Sequence, residues 1–189
     1  MINLCGLLLF TFNAFAVPES QVLNQMTEIL QERTFYKLGY FETQTGLGSK
    51  SIQDGKKLKI YYVKYGHQKG RRGSVVIVTG RTESSLKYVE VAYDLIQKGF
   101  SPVYAIDHRG QGFSSNVSAK KLPDDQIGHV EKFNHYVLDF TQFVNQIVLA
   151  DPQIDQTNLF LLSNSLGSAI AIRYFQQHTT NPFKKAALS

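Results

Sequence analysis

Asn158-Leu159-Phe160-Leu161-Leu162-Ser163-Asn164-Ser165-Leu166-Gly167-Ser168-Ala169 reads as a buried strand that runs straight into a helix through a serine set among small residues. The apolar run is the length of a strand covered on both faces, and Ala169 to Phe175 continue with helical character. This is the layout of a nucleophile elbow. A sharp, strained turn lifts the serine hydroxyl above the end of the sheet, and neighbouring backbone passes so close that only small residues fit two positions before and after it. Those positions hold Ser163 and Gly167, giving S-x-S-x-G where G-x-S-x-G is commoner. An ordinary strand-to-helix turn with Ser165 as the helix cap would use the same residue types.

The segments upstream supply the rest of a sheet. Leu58 to Tyr65 alternates between glycines 55 and 66 and suits an antiparallel strand near the start of the sheet. Ser74 to Thr79 and Pro102 to Ile106 are continuous apolar strands, as expected where both faces are covered. Ser84 to Lys98 reads as a helix closed by Gly99, and Phe133 to Leu149 as another. Val22 to Leu38 has the spacing of an amphipathic outer helix, and a further strand is expected to start at Lys184. Alternation of strand and helix argues for an α/β fold, a mostly parallel sheet with helices on both faces.

With 189 residues, 43% of them hydrophobic, the chain can bury one core. Met1 to Phe15 carries no charge, has an apolar centre from Leu4 to Phe12, and is followed by Ala14-Phe15-Ala16, a cleavage-like pattern. Residues 1–16 therefore read as a signal peptide or N-terminal anchor, although the usual leading Lys or Arg is missing; an exported protein, periplasmic or secreted, is expected. Residues 17–54 form a lead-in and 55–189 the main domain. Cys5, the only cysteine, lies in the leader, which excludes cysteine catalysis and cysteine metal sites from the domain. No cofactor or metal is expected. A formal charge of +5 suits contact with an anionic membrane surface, whereas the scattered Lys and Arg lack the aromatic interleaving of a nucleic-acid binder.

Taken together, Val75 to Ser84 (V-V-I-V-T-G-R-T-E-S), Lys87 to Leu95, Ile106 to Ser114 (I-D-H-R-G-Q-G-F-S), Gly128 to Tyr136 and the elbow resemble the α/β-hydrolase fold. Within it, they are most similar to the monoacylglycerol lipase and bacterial inner-membrane lysophospholipase branch, grouped as serine aminopeptidase-like hydrolases. The resemblance implies an enzyme that cleaves a lipid or other acyl ester. Ser165 would be its nucleophile, with the backbone N–H groups of Arg81 and Leu166 as the oxyanion hole. Many members carry H-G where this chain has Thr79-Gly80; a main-chain donor tolerates that change. The Asp107 to Ser114 loop offers Asp, His and Ser together, but its glycines and Arg109 suit a folded structural loop.

In this fold the acid and the histidine of the triad follow the serine. The 24 residues after Ser165 contain no Asp or Glu. His178 falls at the far end of the elbow helix, about twenty ångström away at 1.5 Å per residue. His129 and His135 are expected as surface or capping residues near the helix at Phe133, and His67 lies in a basic turn. The sequence thus reads as the N-terminal part of a hydrolase. A non-catalytic remnant, or a peptidase or thioesterase of the same fold, is the alternative.

Overall fold

The computed structural model describes residues 35–43, 57–114 and 130–189. Their framework is one six-stranded sheet in the order β1-β2-β4-β3-β5-β6. The strands are β1 (Tyr36–Thr43), β2 (Leu58–Tyr65), β3 (Ser74–Val78), β4 (Val103–Ile106), β5 (Leu159–Ser163) and β6 (Phe183–Leu188). β1 and β2 pair antiparallel, β2 joins β4 antiparallel, and β4, β3, β5 and β6 run parallel.

Every residue of β3 and β4 is buried, which accounts for their continuous apolar sequences. Successive side chains still go to different cores. Val76, Val78, Tyr104, Ile106, Leu159 and Leu161 join one cluster, while Val75, Ile77, Val103 and Ala105 join the other.

Each cluster is closed by helices from its own side of the sheet. A 3₁₀ turn at Ser85–Tyr88 leads into α1 (Val89–Gln97), whose Val89 and Ala92 complete the second cluster. On the opposite face, α2 (Asn134–Phe143) widens into a π turn at Val144–Val148, and with α3 (Leu166–Gln177) it completes the first. The placement of helices on both faces follows from the crossovers. The chain moves from β3 to β4 in one direction and from β4 back across β3 to β5 in the other, and right-handed connections then put α1 and α2 on opposite faces.

Two expectations need adjustment. The helix anticipated over Val22 to Leu38 does not reach Leu38, because Tyr36–Thr43 is strand β1, paired along its whole length with β2; residues 22–34 lie outside the described residues, as does the leader. The sheet consequently begins before residue 55. The helix expected from Ser84 starts as the 3₁₀ turn, with Ser84 Oγ accepting the Leu86 N–H at 3.2 Å. Its end is as read: Gly99 has φ 90° and donates to the Ile96 carbonyl at 2.8 Å, and Phe100 donates to that of Leu95 at 2.9 Å. Among the described residues no helix is long and apolar enough to cross a membrane.

Candidate active site

β3 and β5 are parallel neighbours with Val78 opposite Ser163, so the segments leaving them, residues 79–84 and 164–166, emerge side by side at the carboxyl edge of the sheet. The strand order reverses here, and open α/β sheets form their ligand crevice at such a point. The loop after β4, residues 107–114, flanks them on the other side of β3.

Ser165 has φ 53° and ψ −115° and is exposed. A side-chain-bearing residue held there is strained by about 1–3 kcal/mol. Although it precedes the first turn of α3, its side chain caps nothing, which sets aside the reading of Ser165 as a helix cap. Gly167 explains how the turn closes: a Cβ at that position would overlap the carbonyl oxygen of Val78. Ser163, where glycine is commoner, is 1% exposed, and its hydroxyl lies 2.9 Å from that of Ser168. Ser168 in turn donates to the Ser189 carbonyl at 2.8 Å, so the extra buried hydroxyl is satisfied and costs the elbow little.

The other strained residue is Thr82, with φ 60°; Thr82 and Ser165 are the non-glycine residues with positive φ among the described residues. They stand on the two facing segments. In each segment the N–H groups flanking the expected donor are engaged. Gly80 N–H donates to Glu83 Oε2 at 2.7 Å, and Thr82 N–H donates to Gln111 Oε1. Ser165 N–H donates to the Ser189 carbonyl, and Gly167 N–H to that of Asn164, each at 2.8 Å. The N–H groups between them, those of Arg81 and Leu166, have no acceptor among the described residues.

Thr79, in place of the commoner histidine, ties β3 to its neighbours: its Oγ1 donates to the Ile106 carbonyl at 2.9 Å, and its own carbonyl lies 2.8 Å from His108 Nε2. A carbonyl only accepts, so Nε2 carries the proton. Burial drives the His108 pKa down to about 4, against the raising effect of the Thr79 bond, and the ring is neutral.

The Asp107 to Ser114 loop is a tightly bonded support. Asp107 Oδ1 accepts from Ser85 N–H at 2.5 Å and Oδ2 from Phe113 N–H at 2.9 Å. Ser114 Oγ donates to the Asp107 carbonyl at 2.7 Å and accepts from Tyr61 N–H at 2.9 Å. Burial raises the Asp107 carboxyl above its ordinary value, opposed by the Phe113 and Ser85 bonds.

Glu83, which sequence reading did not single out, is the hub of the front of the site. Desolvation alone would raise its pKa, but bonds from Lys87, Tyr88, the Gly80 N–H and Asn164 outweigh it and hold the carboxyl down to about 2. Its signal in the sequence was only its place in the G-R-T-E-S string.

The remaining histidines lie apart. His178 follows α3, stacked on Tyr174 with ring centroids 4.4 Å apart, and its Nδ1 is 2.9 Å from the Tyr174 carbonyl. His135 is half-buried in the first turn of α2, near the helix start where it was expected, with its Nδ1 atom enclosed and its ring making no cap. His67 is exposed, and His129 lies outside the described residues. Among the described residues no group of three His, Cys, Asp or Glu could hold a metal ion.

Residues 69–189 match the profile of a hydrolase family described as "Serine aminopeptidase, S33". The chain belongs to that family. This α/β hydrolase is similar to lysophospholipase L2 of Escherichia coli K12, 44% identical over 104 residues, which make up 55% of this chain and 28% of that protein. It is also similar to a probable lysophospholipase L2 of Haemophilus influenzae, 32% identical over 118 residues, 62% of this chain and 34% of the relative. The hydrolase chain thus covers about a third or less of the length of these relatives. Among solved structures, a probable hydrolytic enzyme of Pseudomonas aeruginosa matches 81% of the chain with a TM-score of 0.58 at 16% identity. A thermostable carboxyl esterase of Bacillus coagulans matches 80% with a TM-score of 0.57 at 21% identity. These two cover 41% and 43% of the solved chains and establish the α/β-hydrolase fold.

Proposed function

We propose that the protein carrying this chain is a serine hydrolase of carboxylic esters, with lysophospholipids as its substrate class and monoacylglycerols next. The observation that carries the reading is the pairing of two strained, facing turns at one sheet edge. One presents an exposed serine hydroxyl, and each leaves a backbone N–H unclaimed between engaged neighbours. Relatives named lysophospholipase L2 support the choice of substrate.

In this reading Ser165 Oγ attacks the ester carbonyl and its proton passes to a base. The charge that gathers on the carbonyl oxygen is met by Arg81 N–H and Leu166 N–H, each donor worth about 3 kcal/mol of barrier. Collapse expels the alcohol, here the glycerophospho head group, and leaves an acyl-enzyme that water cleaves to the fatty acid. None of the described histidines is hydrogen-bonded to Ser165: His108 is committed to Thr79, and His178 to Tyr174. In this fold the histidine and acid of a triad follow the serine in the chain, and no described residue takes either role beside Ser165.

Export to the periplasm or cell exterior, with peripheral membrane contact, belongs to the same proposal. It rests on the uncharged Leu4 to Phe12 run, Ala14 to Ala16 and the charge of +5.

The test is hydrolysis of a lysophospholipid by the full-length protein and its Ser165→Ala variant. Loss of at least ~10³-fold in kcat is expected. Undiminished hydrolysis would remove Ser165 from the chemistry. A second reading, hydrolysis of peptides from the amino terminus, is favoured by the description of the family. Assay of an aminoacyl anilide alongside the lysophospholipid separates the two.

A further inference from the structure

We infer that Glu83 is a positioning residue that sets the spacing and orientation of the two oxyanion donors by bracing the turn after β3 against the turn after β5. The inference rests on the reading of Ser165 as nucleophile and deepens it.

The geometry is a carboxylate strut. Glu83 Oε2 accepts from Gly80 N–H at 2.7 Å and from Tyr88 Oη at 2.6 Å. Lys87 Nζ is 2.5 Å from Oε1, and the side-chain amide of Asn164 reaches both oxygens at 3.4 Å. Gly80 and Asn164 are the residues immediately before Arg81 and Ser165. One rigid group therefore grips the chain just ahead of each reactive position, although these follow different strands. Gln111 holds the other side of Arg81 through the Thr82 N–H. With both neighbours fixed, the Arg81 peptide has little freedom to rotate its N–H away from the site.

A carboxylate beside a developing oxyanion would ordinarily oppose it. Here Lys87 supplies the countercharge and hydrogen bonds occupy both oxygens, so the group serves as an acceptor of fixed direction. Gly80 allows this closeness: a Cβ there would stand 2.7 Å from Glu83 Oε2 and 3.1 Å from the Asn164 amide nitrogen.

A residue that only stabilises the fold would change the amount of active protein; one that aligns the donors must act on the transition state. The experiment compares full-length protein with Glu83→Ala, Glu83→Gln, Asn164→Ala and the Glu83→Ala/Asn164→Ala pair, on a lysophospholipid and on an acyl trifluoromethyl ketone whose hemiketal oxygen mimics the oxyanion. For Glu83→Ala, kcat is expected to fall about 10- to 100-fold with KM within about twofold, less than the complete loss of one donor. Ketone affinity should fall by the same factor. Glu83→Gln, which retains an acceptor oxygen for Gly80 N–H, should recover most of both losses. The double variant should lose less than the product of the two single losses, because both cut the same strut.

Unchanged kcat and ketone affinity in Glu83→Ala would overturn the inference. So would a loss in kcat that matches the loss of folded protein while ketone affinity per folded molecule stays constant. Full activity in Ser165→Ala would overturn the underlying reading itself, an outcome distinct from an inert Glu83.

Discussion

Arg109 and Asp139 form a bidentate ion pair, Nε to Oδ2 and Nη2 to Oδ1, each at 2.7 Å, with both side chains 1% exposed. It fastens the loop after β4 to α2 and so fixes the floor beside the proposed site. Removing one partner leaves a charge buried without its counterion, at a cost of about 3–5 kcal/mol. Arg109→Ala and Asp139→Ala are each expected to lower stability by that amount in urea unfolding followed by circular dichroism. A loss below 1 kcal/mol would show that water reaches the abandoned charge.

Gly167 should tolerate nothing larger than itself. A Cβ there would stand 2.1 Å from the Val78 carbonyl oxygen, a backbone atom that cannot rotate aside. Gly167→Ala must push α3 away from β3, at about 1–3 kcal/mol. The Ser165 turn moves with the helix. Denaturation and the rate of fluorophosphonate labelling of the full-length protein should both suffer; labelling at the parental rate would contradict the close approach.

Ser165→Gly should separate stability from activity. At φ 53° a glycine is unstrained, so the variant should gain about 1 kcal/mol in unfolding experiments while losing all hydrolysis. A destabilised Ser165→Gly variant would mean that the turn holds no strain worth relieving.

His108 gives stability a dependence on pH whose sign is fixed. Its folded pKa, about 4, lies below the ordinary 6.5. Between these values the unfolded chain binds a proton that the folded chain refuses, so stability falls as pH drops from about 6.5 to about 4 and this contribution is level below that. The full effect is about 3 kcal/mol. Asp107, raised by burial, acts with the opposite sign above its ordinary value of 3.8, so comparison with a His108→Gln variant isolates the histidine. Equal slopes in parent and variant over this window would place the His108 ring in water or in its charged form.

Much of this was legible in the sequence because it rests on local rules. The apolar runs at Ser74 to Val78 and Leu159 to Ser163, Gly99 after α1, and the small residues around Ser165 each state a local steric or burial requirement. Strand β1 was misread because Tyr36 to Leu38 continues an apolar spacing that fits a helix, and only pairing with β2 supplies the backbone partners that favour a strand. Half-burial of His135 was likewise invisible, since it depends on what packs over the first turn of α2. Glu83 escaped notice because a glutamate near the start of a helix is commonplace, and nothing in its neighbours in sequence announces a contact with Asn164, 81 positions away.

The sequence by itself determined the sheet-forming segments from β2 onward, the small-residue turn at Ser165 and the family pattern, because burial periodicity and steric allowance at a turn are properties of short stretches. Tertiary structure alone decided that the turns after β3 and β5 face each other, that their free N–H groups fall between engaged ones, and that Glu83 spans the gap. Those relationships arise only when parallel pairing places Val78 beside Ser163, a long-range event that no local pattern encodes.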